Sequence, residues 1–170
     1  LIIYDGPVIG SIKNYINIKK KKFKFIKIYS FPSNNGLGKV LNYGVRKARY
    51  PYIARCDADD ISFSSRFKDQ ANYLKKNKTV DVLSSNIIES DGFRSVLKKV
   101  PEKNLDIINI SCLRNPINHN AVIFKKNKII KSGNYKDLNY FEDYFLWLRV
   151  IKNRGKFYNL QKVYVNMTVD

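Results

Sequence analysis

The first half of the chain alternates short apolar runs with segments of helical spacing. Four strands and three helices are predicted, at 1–4, 23–29, 51–56 and 80–83 and at about 11–20, 37–48 and 65–76, respectively. Alternation of this kind favours an α/β domain with a Rossmann-like, mostly parallel mixed sheet flanked by helices. In such sheets ligands bind beyond the carboxyl ends of the strands, so polar residues at those ends are the first candidates for a site.

The second half has a more mixed pattern. A hairpin with its turn near Asp91-Gly92 is followed by a predicted helix from Pro101 to about 111. A strand at 121–124, a helix at 141–153 and a strand at 157–166 complete the prediction. No repeat or low-complexity linker interrupts the sequence, and 170 residues suit one domain covering 1–170.

The chain is strongly basic, with a formal charge of +18 from 32 Lys and Arg against 14 Asp and Glu. The densest basic run is Lys19–Lys22. Three explanations remain open: a solvated basic surface, peripheral contact with an anionic membrane, and nucleic-acid binding. Because no nucleic-acid-binding motif is present, the solvated surface ranks first, the membrane second, and nucleic acid is not expected as a partner. Two separated cysteines, Cys56 and Cys112, weakly favour a reducing, cytoplasmic location.

Three carboxylates, Asp57, Asp59 and Asp60, crowd the end of the third predicted strand. Neighbouring carboxylates repel each other unless water or a cation neutralises them. Hard oxygen ligands of this kind suit Mg²⁺ or Mn²⁺, which can in turn hold a diphosphate. Aspartate is also common in strand-ending turns, so an ordinary acidic turn remains the alternative.

Four ordered segments resemble the family 2 glycosyltransferases, which are inverting enzymes of the GT-A (nucleotide-diphospho-sugar transferase) fold. They are Asn34-Asn35-Gly36-Leu37-Gly38-Lys39-Val40-Leu41-Asn42, Tyr52-Ile53-Ala54-Arg55-Cys56-Asp57-Ala58-Asp59-Asp60, Arg114-Asn115-Pro116-Ile117-Asn118-His119 and Phe141-Glu142-Asp143-Tyr144. The likeness is strongest to the subgroup that builds bacterial capsular, amylovoran-type or lipopolysaccharide repeat units. The resemblance runs from Leu1 to about residue 166. It rests on all four segments in their order, because a DxD motif alone is weak evidence for the family.

The resemblance implies a donor-binding part at 1–90 that contains the DxD motif. Asp5 matches a carboxylate that hydrogen-bonds the nucleotide base, although an Asp-Gly turn is the plain alternative. Lys39 lies beside a glycine-rich loop where it can meet phosphate, or it simply faces solvent. Asp59 is the expected contact for Mn²⁺ or Mg²⁺, with Asp57 near the ribose or a metal-bound water and Asp60 in support. Arg66 matches a family arginine that follows a proline-containing turn, but the proline is absent here, and a helix-surface ion pair is the alternative.

The resemblance implies an acceptor and catalytic-base part at 91–170. Asp143 matches the base that removes the proton from the acceptor hydroxyl, and Glu142 is the neighbouring candidate. An acid at a helix N-terminus also suits the helix dipole. Asn118 and His119 match a segment close to the sugar and the acceptor, whereas a lone histidine is more often structural. Trp147 is expected in the core.

Family members begin with a further strand and helix that have no counterpart before Leu1, which implies a fragment or a truncated, inactive product. The resemblance implies a hexosyltransferase-type enzyme that transfers a sugar with the help of a metal ion. The expected donor is a UDP-sugar, and the expected acceptor is a glycan or a lipid-linked molecule. The protein is expected in the cytoplasm, at the inner face of the membrane. A non-catalytic remnant that keeps nucleotide binding and a basic nucleic-acid-binding protein are the alternatives.

Overall fold

A computed structural model describes residues 1–169, which form eight strands, six α-helices and one 3₁₀ turn. In chain order these are β1 (Ile2–Asp5), α1 (Gly10–Lys22), β2 (Ile28–Phe31), α2 (Leu37–Lys47), β3 (Tyr52–Ala54), β4 (Ile61–Ser62), α3 (Arg66–Lys76), β5 (Val82–Ser90), β6 (Ser95–Lys98), α4 (Asn104–Ile110), the 3₁₀ turn (His119–Ala121), β7 (Ile123–Lys125), α5 (Lys126–Lys131), α6 (Glu142–Lys152) and β8 (Phe157–Thr168).

The strands form two sheets in the described part of the chain. Strands β1 and β2 pair in parallel as a two-stranded sheet. The larger sheet has the order β3-β7-β5-β8-β4, with β6 paired to β5 as the predicted hairpin. This mixed α/β arrangement agrees with the expected fold class.

The expectation of mostly parallel pairing is wrong in detail. Only β1 with β2 and β5 with β8 are parallel, whereas the pairs that involve β3, β4, β6 and β7 are antiparallel. Strand β7 lies between β3 and β5 and runs against both. Strands β3 and β5 therefore point in the same direction without pairing with each other. The order of the elements along the chain does not show that β7 lies between them.

The predicted strand at 23–29 is also wrong over most of its length. Helix α1 continues through the lysine run to Lys22, and Phe23 caps it by donating its backbone N–H to the Lys19 carbonyl. A turn follows, in which the Ile26 N–H donates to the Phe23 carbonyl, so β2 begins only at Ile28. Phe25 is 80% exposed, because the alternating lysines and apolar residues have no covering partner within residues 1–169.

Helix α2 approaches the loop at 136–137 too closely for a side chain. A Cβ added at Gly38 would lie 2.2 Å from the Lys136 carbonyl oxygen. Gly36, just before the helix, has a φ of +87°, which side chains rarely adopt. Both glycines of this segment are therefore required by the backbone, and together they bring the start of α2 near the start of α6.

Helix α6 is fixed to the main core through its apolar face. Trp147, Leu146 and Val150 are fully buried and pack in one cluster with Phe124 of β7 and Phe157 of β8. Trp147 is thus a core residue, as expected. Because these core contacts fix α6, the acidic first turn of this helix also has a fixed position relative to the sheet. Among residues 1–169, no helix has the length and apolar character needed to cross a bilayer.

Candidate active site

The acidic loop that follows β3 is tied to two distant parts of the chain. The Asp60 carboxylate accepts from the Asn120 side-chain amide at 2.7 Å and from the Thr168 backbone N–H at 3.2 Å. The Thr168 hydroxyl donates to the Asp59 carbonyl at 2.7 Å. These bonds join the loop to the 3₁₀ turn and to the end of β8, so its conformation is set by the whole sheet. The Asp59 carboxylate itself is exposed and makes no ion pair within residues 1–169.

Arg66 supports the same loop from beneath. It is fully buried, and its guanidinium donates to the Arg55 carbonyl at 2.7 Å and to the Ser62 hydroxyl at 2.8 Å. A helix-surface ion pair is therefore excluded. On this helix Arg66, Gln70 and Leu74 face the core, while Phe67 is 46% exposed. Arg66 thus holds the backbone on which Asp57 sits.

Asp57 forms an ion pair with Arg55, whose Nη2 lies 2.5 Å from the Asp57 Oδ1 atom. Burial raises the pKa of the Asp57 carboxyl, the Arg55 charge lowers it in part, and Asp60 and Asp59 raise it again, with a net increase. This aspartate consequently sits in a crowded negative environment whose nearest positive charge is Arg55.

The first turn of α6 supplies two further carboxylates. Asp143 Oδ2 accepts from the Asn115 amide at 2.7 Å, and its Oδ1 accepts from the Tyr144 backbone N–H at 2.6 Å. Burial raises the pKa of Asp143, and these two hydrogen bonds offset part of the increase. Burial also raises the pKa of Glu142. Both are therefore stronger bases than ordinary surface carboxylates, which suits proton removal.

His119 lies against Asp143. Its Nδ1 is 3.8 Å from the Asp143 Oδ2, and its Nε2 is 2.8 Å from the Tyr135 hydroxyl. Burial, and to a smaller extent the Arg55 charge, lowers the pKa of His119 well below its usual range, so the imidazole is neutral at neutral pH. Asn118 is buried and donates to the Ser85 carbonyl at 2.8 Å, so its side chain holds the loop to β5.

One group in the described chain has the spacing to hold a metal ion. Ligand atoms of His119, Glu142 and Asp143 all lie within 4.8 Å of one another. Neutral imidazole and carboxylate oxygens are suitable ligands for Mn²⁺. The residues therefore fit a divalent cation, which Glu142, Asp143 and His119 can hold from one side. The candidates predicted from the sequence, Asp59 and Asp57 with Asp60 in support, are not part of this group.

Asp5 lies at the far end of the same region. Its carboxylate accepts from the backbone N–H groups of Asn35 and Gly36, at 2.7 Å and 3.2 Å, and so shapes the loop before α2. A cleft of about 530 Å³ is lined by Asp5, Gly36 and Glu142 among others. Lys39 points elsewhere: it is exposed and pairs with Asp137 at 2.9 Å, which matches the solvent-facing alternative.

Three residues of the site were not singled out from the sequence. Arg55 precedes the acidic cluster, and its position two residues before Asp57 was an available signal. Asn115 lies in the Arg114–His119 segment, but nothing in the sequence linked it to Asp143. Tyr135 carried no signal, because its hydroxyl reaches His119 only through the packing of β7 and α6 against its ring.

A mixed α/β fold that gathers acidic groups at one edge of its sheet is typical of nucleotide-sugar transferases. The family model described as "Glycosyl transferase family 2" matches residues 5–138, so the chain belongs to glycosyl transferase family 2. It is 36% identical over 170 residues to the Escherichia coli UDP-Gal:alpha-D-GlcNAc-diphosphoundecaprenol beta-1,3-galactosyltransferase, covering 98% of this chain and 61% of the relative. It is also 36% identical over 152 residues to the amylovoran biosynthesis glycosyltransferase AmsE of Erwinia amylovora, covering 89% of this chain and 57% of that protein. The chain thus spans about 60% of the length of these relatives.

Solved structures show the same fold. A crystal structure of S. aureus TarS 1-349 in complex with UDP-GlcNAc superposes with a TM-score of 0.77 at 20% identity, covering 99% of this chain and 48% of the TarS 1-349 chain. The mannosyltransferase PcManGT from Pyrobaculum calidifontis, in complex with GDP-Man and Mn2+, gives a TM-score of 0.68 at 12% identity, with 95% and 45% covered. The GT-A fold expected from the sequence motifs is confirmed.

Proposed function

We propose that this protein is a metal-dependent inverting glycosyltransferase that moves a sugar from a nucleotide-sugar to a glycan or lipid-linked acceptor. One observation carries the proposal. The acidic first turn of α6 and the Asp5 loop line a single cleft, so a donor-sized ligand can reach from Asp5 to Glu142. Burial is the main cause of the raised pKa of Glu142, and the charge of Asp57 makes a smaller contribution in the same direction, which supports including Asp57 in the site.

In the proposed reaction Asp143 acts as the base. Its carboxylate takes the proton of the acceptor hydroxyl while that oxygen forms a bond to the anomeric carbon and the bond to the diphosphate breaks. Asn115 and the Tyr144 N–H fix the orientation of the carboxylate. A Mn²⁺ or Mg²⁺ held by Asp59 and Asp57 would supply charge neutralisation for the departing nucleotide diphosphate and would leave Asp143 free to act as the base.

The relatives support a UDP-sugar as donor and surface polysaccharide synthesis as the process. The E. coli relative is named for UDP-Gal and a diphosphoundecaprenol acceptor, and the Erwinia relative for amylovoran biosynthesis. The structural match TarS is bound to UDP-GlcNAc. A lipid-linked acceptor would place the protein at the cytoplasmic face of the membrane.

The donor test is thermal stabilisation by UDP with Mn²⁺. We expect the melting temperature to rise by about 5–10 °C at a hundredfold excess over Kd, because ligand binding to the folded state stabilises it by about 2.7 kcal/mol. Asp59→Ala should remove most of the shift, and Asp106→Ala, which removes an exposed acid of α4, should keep it. Sugar transfer or UDP-sugar hydrolysis is then measured on the same samples.

The outcomes separate the alternatives. Stabilisation without turnover would identify a remnant that keeps nucleotide binding. A lack of response to UDP, together with tight and steeply salt-dependent binding to DNA or RNA, would overturn the transferase proposal.

The proposed membrane contact rests on α1. None of its 13 residues is buried, and its last turn consists of four lysines, Lys19–Lys22. Apolar side chains beside them, such as Ile18 at 64% and Phe25 at 80% exposure, can enter the headgroup region. Each lysine near an anionic surface contributes about 1 kcal/mol.

Co-sedimentation with phosphatidylglycerol vesicles tests this contact. Replacing Lys19, Lys20, Lys21 and Lys22 with glutamine should weaken binding at least tenfold. A control with the same charge loss replaces the exposed Lys75, Lys76, Lys131 and Lys152 instead and should bind more tightly than the α1 variant. Equal losses in the two variants would show that net charge, and not α1, sets the affinity.

A further inference from the structure

The Arg55 guanidinium occupies the centre of the acidic site. Its side chain is only 12% exposed, and its Nη2 lies 2.5 Å from Asp57. Its Nε is buried and has no hydrogen-bond partner among residues 1–169. A buried N–H without a partner is costly, so the guanidinium is held here by its charge more than by a complete set of hydrogen bonds.

The backbone of Arg55 is anchored independently of its side chain. Its N–H donates to the Val122 carbonyl at 3.0 Å, and its carbonyl accepts from Arg66 at 2.7 Å. The Cα position is therefore fixed from both sides of the peptide. The guanidinium can exchange its partner while the acidic loop stays in place.

The charge of Arg55 acts on three carboxyls of the site. Burial raises the pKa of Asp57, Glu142 and Asp143, and in each case the Arg55 charge works in the opposite direction. A divalent cation that enters this group of carboxylates would take over the same neutralising task. A guanidinium and a divalent cation beside the same carboxylate repel each other, so each weakens the binding of the other.

We propose that Arg55 is an internal counter-ion, which pairs with Asp57 while no divalent cation is bound and gives up this carboxylate when such a cation arrives. The inference rests on the proposed function in one respect, namely that a cation binds at the acidic site. It makes Arg55 a positioning residue that competes with the metal and keeps the site from binding cations tightly without a nucleotide.

The test is a titration of the protein with Mn²⁺ alone, followed by calorimetry or by the loss of the free-ion electron paramagnetic resonance signal. Arg55→Gln should bind Mn²⁺ about three- to tenfold more tightly than the unchanged protein, because the competing charge is gone. Arg49→Gln is the matched control: Arg49 is exposed, and its replacement removes the same charge outside the site. We expect Arg49→Gln to leave the Mn²⁺ affinity within twofold.

Equal or weaker Mn²⁺ binding by Arg55→Gln than by Arg49→Gln would overturn the proposal. If Arg55→Gln unfolds below the assay temperature, Arg55→Met replaces it, because methionine keeps the buried stem of the side chain and also removes the charge. The readout needs no turnover. A protein without transferase activity can still show the competition between Arg55 and Mn²⁺. If the protein is an active transferase and Arg55→Gln leaves its Mn²⁺ affinity unchanged, only this inference is refuted.

Discussion

Replacing Asp143 with asparagine is expected to lower kcat for sugar transfer at least a hundredfold while the protein stays folded. The amide of asparagine has nearly the same shape as the carboxylate, and its single oxygen can still accept from either Asn115 or the Tyr144 N–H. It cannot take up a proton, however, and positioned general bases typically contribute a factor of about 10²–10⁴. The loss should therefore appear in kcat, measured with a UDP-sugar and saturating Mn²⁺.

Two variants show whether the effect belongs to Asp143. Asp137→Asn changes an exposed acid near the start of α2 and should retain activity within a fewfold. Glu142→Gln changes the adjacent buried acid and should reduce kcat less than Asp143→Asn. A larger loss for Glu142→Gln would assign the base to Glu142. Full activity in both acid variants would contradict a carboxylate base in α6.

Replacing Arg66 with alanine is expected to destabilise the protein by about 3 kcal/mol. The side chain is fully buried, and its removal leaves a cavity and takes away the donor to the Arg55 carbonyl and the Ser62 hydroxyl. Urea unfolding followed by circular dichroism measures the change. The loss should appear as a lower denaturation midpoint with an unchanged slope.

Arg46→Ala provides the comparison for this prediction. Arg46 is exposed and donates only to Asn42 one turn away, so its loss should cost less than about 0.5 kcal/mol. A similar small cost for Arg66→Ala would mean that water enters and satisfies the freed groups. In that case Arg66 would not be what holds the acidic loop in place.

Local pattern was a good guide to the helices and a poorer guide to the sheet. Helix α2, predicted over 37–48, covers Leu37–Lys47, because its apolar spacing matches a face that is actually buried. The strand predicted at 23–29 failed because alternation alone does not show whether a partner covers the apolar side. The insertion of β7 between β3 and β5 depends on contacts about 70 residues apart along the chain to β3 and about 40 to β5, which no local pattern contains.

The candidate site shows the same division. The motifs located the acidic residues, and the structure brings His119 and Asp143 together. What each acid contacts could not be predicted, since Arg55, Asn115 and Tyr135 meet them only through tertiary packing. Arg66 is the clearest case: its position on a helix suggested the surface, but its spacing with Gln70 and Leu74 faces the core.

The link between Thr168 and the acidic loop has a consequence for how this protein can be altered. Two hydrogen bonds join residues 108 and 109 positions apart, so the loop carrying Asp59 and Asp60 inherits its shape from the end of β8. A redesign that replaces only the acidic loop with the loop of another protein would lose the two hydrogen bonds from Thr168 that support it. The loop and the end of β8 therefore form one exchangeable unit, although more than 100 residues separate them along the chain.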